Sequence, residues 1–199
     1  MTELLRTLPT SHAPVKQDLG AKIGTAMSDD KINPIRPTDG TARALARDLM
    51  AGARIAALGV TDPDNGGPHV SRIALFCTAG AGCVTLISDL AFHTRGIGAD
   101  RRVSLLFDET GGNGDPLTHP RLTIRALAEM VTDGTERAAL RALWLRHVPK
   151  AKLYIDFTDF HFVRFHPLSG LLNAGFGKAY ELDKKDLTLA PGRGDRFSD

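Results

Sequence analysis

The sequence predicts a mainly β protein with some α structure, a β-barrel of antiparallel strands with helices added around it. Three observations carry that expectation. Short apolar, β-branched runs recur through the middle of the chain, and the first two are joined by the turn signal Asp62-Pro63-Asp64-Asn65-Gly66-Gly67. Residues Arg121 to Val131 alternate with a period of two, with Leu122, Ile124, Ala126, Ala128 and Met130 on one face. Few segments between the strands have helical spacing, which argues against a doubly wound sheet.

Taken in order, residues 1–37 mix Pro, Ser, Thr, Lys and Asp without a sustained period and read as an N-terminal arm. Thr38-Asp39 then precede Ala42, Leu45, Ala46 and Leu49, a helical stripe behind capping residues. Arg54 to Thr61 and His69 to Cys77 form a hairpin, and a third strand after Gly80 and Gly82 ends at Ser88. A helix starting near Phe92 is kept short by Asp100-Arg101-Arg102, and Val103 to Phe107 is the fourth strand. Thr110 to Leu117, with Gly111, Gly112, Gly114 and Pro116, is a loop before the long strand at Arg121. Thr135 to His147 is helical, with Ala138, Ala139, Leu143 and Leu145 among its apolar positions and Asp133 or Thr135 near its cap. Phe160 to Phe165 is the final strand, followed by a turn at Pro167 and a short apolar return, Leu171-Leu172. Asp183 to Leu187 adds a turn of helix, so one domain spans 38–188 and a polar tail spans 189–199.

Composition removes several classes of function. Of 199 residues, 25 are Lys or Arg and 23 are Asp or Glu, a formal +2, and no basic run is dense enough for nucleic acid or an anionic membrane. No apolar stretch approaches the ~20 residues of a membrane-spanning helix, and the N-terminus has no signal-peptide core. Cys77 and Cys83 flank the turn Thr78–Gly82 and can face each other across a hairpin, but two separate buried thiols are the expected state, in a cytoplasmic protein. The seven histidines form no HxxxH or His/Cys cluster, so no metal site is expected. His161 and His166 fall on opposite faces of a regular strand and read as packed or surface residues. Trp144 reads as a core or dimer contact. In Asp156-Phe157-Thr158-Asp159-Phe160 one aromatic is expected to pack inward while the carboxylates cap backbone N–H groups. No Ser-His-Asp pattern or nucleophilic Cys signature can be placed.

One stretch carries chemistry. The run Val84 to Ile87 stops at Ser88-Asp89, and a new segment begins with His93, Thr94 and Arg95 in its first turn. A strand that ends this way and turns into a helix presents unpaired N–H groups, to which Ser88, Thr94 and Arg95 add donors suited to a phosphate. The plainer reading is an ordinary junction in which Asp89 caps the helix and Arg95 is solvated.

The order Val70-Ser71-Arg72-Ile73-Ala74, Ser88 to Arg95, Asp115-Pro116-Leu117 and Pro120-Arg121-Leu122-Thr123 resembles the pyridoxamine-5′-phosphate-oxidase-like FMN-binding split barrels. Asp156 to Phe160 and Gly175-Phe176-Gly177-Lys178-Ala179 are similar to the haem-utilisation branch of that family. The resemblance implies a six-stranded antiparallel split β-barrel with flanking helices, working as a homodimer with flavin sites at the interface. It assigns Arg72 to the FMN phosphate, with Ser88, His93, Thr94 and Arg95 at the phosphate-binding start of the helix. It puts backbone around Ser71, Ile73 and Ile87 along the isoalloxazine, and Arg121 and Lys178 at the flavin edge. The implied function is an FMN-dependent oxidoreductase acting on a small-molecule substrate of unknown identity. The alternative is a haem-binding or haem-degrading protein on the same scaffold, and a non-catalytic flavin carrier is a third reading; fold alone does not choose among them. The haem branch implies an axial histidine from a C-terminal loop and, in longer members, a further C-terminal domain. Here no histidine follows His166, and the sequence ends at Asp199.

Overall fold

The computed structural model describes residues 35–108 and 114–189; the expected arm up to residue 34, the start of the Gly-rich loop and residues 190–199 lie outside them. The described chain runs β1 (Ile35–Arg36), α1 (Gly40–Gly52), β2 (Ile55–Thr61), β3 (Pro68–Thr78), β4 (Gly82–Ser88), α2 (Phe92–Ala99), β5 (Arg102–Asp108), β6 (Arg121–Met130), α3 (Gly134–His147), β7 (Phe160–Asn173) and β8 (Ala179–Asp183). Single turns of 3-10 helix lie at Pro116–Thr118 and Pro149–Leu153. No helix among the described residues is long and apolar enough to cross a membrane.

Six antiparallel strands close a barrel in the order β4-β3-β2-β5-β6-β7, with β7 returning to β4. Alternation decides which side chains fill it: Leu58, Ile73, Ile87, Leu105, Leu122, Ile124 and Val163 point inward and are buried. Each such side chain contributes roughly 1.5–3 kcal/mol by leaving water. α1 closes one side of the barrel. Its N-terminus is held by Asp39, whose carboxylate accepts from the Ala42 N–H at 2.8 Å, and it buries Ala42, Ala46, Leu49 and Met50. A second, smaller core lies under α3, where Leu140 and Trp144 meet Phe76, Val84 and Phe162 on the outside of the barrel. Ala138 and Ala139 lie on the exposed side of α3, so the helix faces the barrel through residues other than those alanines.

The feature that positions the site is a gap. The β3–β4 ladder covers only Leu75–Thr78 against Thr85–Gly82. Beyond it Pro68 to Ala74 pair with β2, whereas Leu86 to Ser88 continue against β7. The Thr85 hydroxyl donates to the Ala74 carbonyl at 2.6 Å, satisfying one acceptor where the ladder stops. The barrel is therefore split between the first half of β3 and the end of β4.

Several expectations are corrected. Cys77 and Cys83 are not two separate thiols; directly opposed on β3 and β4, they form a buried disulfide. Pro167 does not end a strand: β7 continues through it to Asn173, and the register shift opposite, between Arg125 and Ala126, accommodates a residue with no N–H to donate. Leu171 and Leu172 thus sit on one strand and face opposite ways, 47% and 0% exposed. β8 follows, unanticipated, and Lys184 to Leu187 form a turn rather than a helix, with the Asp183 carboxylate accepting from Lys185 and Asp186 N–H groups. Asp156 pairs with Arg141 instead of capping backbone, and Phe157 is 56% exposed.

Candidate functional site

Two surfaces beside the split bring the expected site residues together: the junction between β4 and α2, and the outer wall of the barrel. At the junction α2 begins without a side-chain cap, because its N-cap residue is Ala91. Asp89 does not cap it; its carboxylate meets the His161 Nε2 at 2.9 Å. α2 lies close on β2 because Gly96 leaves room: a Cβ there would come within 2.7 Å of Val60 Cγ2 and 3.1 Å of the Thr61 carbonyl oxygen.

The polar groups of this junction are satisfied from within. The Ser88 hydroxyl donates to Asp159 Oδ2 at 2.7 Å and accepts from the Leu90 N–H. Thr94, 8% exposed, donates its hydroxyl to the Ser88 carbonyl at 2.6 Å. The Asp89, Ala91 and Thr94 N–H groups bond to the Asp159, Ser88 and Ala91 carbonyls. Arg95 directs one guanidinium nitrogen at both carboxylate oxygens of Asp64, at 3.0 and 2.8 Å, and its guanidinium lies over the Phe92 ring. His93 is half-buried beside this turn; burial first, and the nearby His69 imidazole second, hold its pKa below the ordinary value. His69 itself packs on Phe92, with ring centroids 4.1 Å apart, and its Nε2 lies 3.0 Å from the Ser71 hydroxyl. Three carboxylates thus stand at this junction, Asp64 on Arg95, Asp89 on His161 and Asp159 on Ser88.

The outer wall differs. Register places Arg72, Ala57, Leu106, Thr123 and Leu171 in one row across β3, β2, β5, β6 and β7. The next row is Val70, Gly59, Ser104, Arg125 and Ser169. Val70 and Ile55 are 66% and 54% exposed, whereas Ala57 and Leu106 are half-buried. Arg72 is exposed and has no hydrogen-bond or ion-pair partner among the described residues, while Arg125 Nε donates to the Ser169 hydroxyl. The rows therefore wrap around the barrel and mix apolar with hydroxyl side chains; the exposed apolar part is Val70 and Ile55 on β3 and β2, with Arg72 beside them.

Of the remaining expected residues, Ile73 and Ile87 turn their side chains into the barrel core, leaving only backbone toward the split. Arg121 donates to the Leu117 carbonyl at 3.3 Å and pairs in register with Asn173 at the end of β7, while Ser88 pairs with Phe160 at its start. Lys178 lies in the exposed β7–β8 turn, where Gly175 and Gly177 adopt φ of 110° and 68° and the Lys178 N–H bonds to the Gly175 carbonyl. Arg121 and Lys178 thus belong to the far end of β7 from Ser88. Sequence reasoning missed Asp64, His69, Val70 and Asp159 as neighbours of the site. Among the described residues no cluster of three or more His, Cys, Asp or Glu is arranged to hold a metal ion.

Comparison with known proteins agrees with this architecture. Residues 42–172 match the model of the pyridoxamine 5′-phosphate oxidase family. A chloroplastic haem oxygenase, HOZ, of Arabidopsis thaliana is 31% identical over 130 residues, covering 63% of this chain and 39% of that protein. The haem oxygenase HutZ of Vibrio cholerae is 32% identical over 131 residues, 61% of this chain and 70% of the other. A haem-binding protein from Mycobacterium smegmatis superposes with a TM-score of 0.67 at 29% identity, covering 77% of this chain and 61% of that one. The matched part thus spans about two fifths of the plant protein's length.

Proposed function

The chain belongs to the pyridoxamine 5′-phosphate oxidase family, with relatives in its haem-utilisation branch, and from that premise we propose that it binds haem, as a haem-handling or haem-degrading protein, in preference to FMN. The observation that carries this reading is the outer wall. A porphyrin is a flat apolar disc with two carboxylates. Val70 and Ile55, with Ala57 and Leu106 beside them, offer it apolar contact on neighbouring strands β3, β2 and β5, and Arg72 on the same face is free to pair with a carboxylate. His69, next to Val70 on β3, faces the other way and packs on Phe92 of α2, so its imidazole belongs to the junction and not to this wall. Bound haem would bring iron and its redox chemistry; the chain's part is to seat the disc, pair its carboxylates and shield one face from water.

The working unit in this reading is a homodimer. An exposed wall with Val70, Ile55 and Leu171, and the 95% exposed Phe176 on the β7–β8 turn, leaves apolar surface that a second copy covers.

Haemin and FMN titrated separately into the purified protein test the reading. Haemin is expected to bind saturably at micromolar concentration or tighter, with a shifted Soret band, and the complex is expected to scatter light as a dimer. Tight FMN binding with no saturable haemin uptake would overturn it. A reductant added in air separates the two haem activities: a decaying Soret band marks degradation, and a persistent one marks binding alone.

A further inference from the structure

The β4–α2 junction has the outline of an anion site, an uncapped helix N-terminus beside two hydroxyls and an arginine, yet both hydroxyls and one face of the arginine are already committed. A hydroxyl has one proton, and a phosphate dianion accepts hydrogen bonds without donating any. Ser88 gives its proton to Asp159, and Thr94 gives its proton to the Ser88 carbonyl. Three backbone N–H groups, those of Leu90, Ala91 and Thr94, bond inside the same turn, and that of Asp89 bonds to the Asp159 carbonyl. Arg95 faces Asp64, and Asp89 and Asp159 add negative charge around the place a phosphate would occupy.

We propose that Asp64 and Asp159 are specificity-determining residues that keep phosphate-bearing ligands out of this junction, so that FMN gains nothing there from its phosphate. The inference deepens the haem reading, since haem on the outer wall does not use the junction. Asp64 acts by holding the Arg95 guanidinium and by its own charge. Asp159 acts by taking the Ser88 proton and by its charge.

Magnitude sets the expectation. The Arg95–Asp64 pair is exposed, with side chains 55% and 67% accessible, so its release alone is worth about fivefold in phosphate affinity at most. Asp159 is half-buried, and removing it frees a hydroxyl donor as well as removing a charge.

The experiment measures FMN and riboflavin affinities by flavin fluorescence, because their ratio isolates the phosphate. In the unaltered protein the ratio is expected to be near one. Asp64→Ala should favour FMN by up to about fivefold, Asp159→Ala by a similar factor, and the pair by about tenfold or more. Asp159→Asn, which loses the charge but still accepts the Ser88 proton, should fall between the unaltered protein and Asp159→Ala. FMN already tenfold tighter than riboflavin in the unaltered protein would overturn the proposal. So would a double variant that takes up FMN no better than the unaltered protein while its circular dichroism is unchanged. Haemin affinity reports on the haem reading independently, because no haem enters the flavin ratio.

Discussion

The junction and the outer wall lie on either side of the same split, yet they treat their polar groups in opposite ways. At the junction the hydroxyls, most of the turn's N–H groups and Arg95 are paired within the chain. On the wall Arg72 is exposed without a partner among the described residues, and the apolar side chains around it remain open. A group already satisfied contributes little to a ligand, because each new bond must first replace an old one. On the proposed reading, residues whose types suit a phosphate are therefore spent on one another, whereas an exposed cation beside open apolar side chains remains available.

That contrast can be broken most forcefully through Gly96. A valine there would drive its Cβ into Val60 and the Thr61 carbonyl, so Gly96→Val is expected to cost about 2–3 kcal/mol and lower the melting temperature by several degrees. Haemin affinity of the folded fraction should hold, since the wall does not depend on α2; a lost affinity would join the two regions into one site.

A smaller effect sharpens the other side. Val70→Asp places a charge on the wall where the side chain is already 66% exposed, so stability should change by less than about 0.5 kcal/mol. Haemin binding should weaken about tenfold, the loss of one apolar contact of roughly 1.5 kcal/mol. Unchanged haemin affinity would remove the wall from the site.

The smallest expected effect is in pH. Because burial and His69 lower the His93 pKa in the folded state, the unfolded chain binds the proton more readily. The His93 contribution is therefore fully present above the ordinary imidazole value and declines as pH falls below it toward the lowered one. Denaturation midpoints measured on either side of that value should fall toward acid, and His93→Gln should flatten the slope.

Much of the barrel was legible because its signals are local. The Asp39 cap with Ala42, Ala46 and Leu49, and the alternation from Leu122 to Ala128, state their structure within a few residues. β8 was not legible, since Ala179 to Asp183 offers only Tyr180 and Leu182 as inward apolar positions. Pro167 misled for the opposite reason: it is a local stop signal overridden by a bulge that only the pairing with β6 reveals. At the junction the residues Ser88, Thr94 and Arg95 could be singled out, but their partners could not. Asp159 lies 71 residues from Ser88, and Asp64 lies 31 residues from Arg95. No spacing rule announces such meetings.

The Cys77–Cys83 bond takes on a different meaning in polymer terms. Its cysteines are six residues apart, so closing that small ring removes only about 2 kcal/mol of freedom from the unfolded chain. Its main consequence is mechanical and local: it rivets the short stretch where β3 and β4 still run together. The split between β3 and β4 thus begins at a fixed point, and thermal motion that would unzip the ladder further meets a covalent stop.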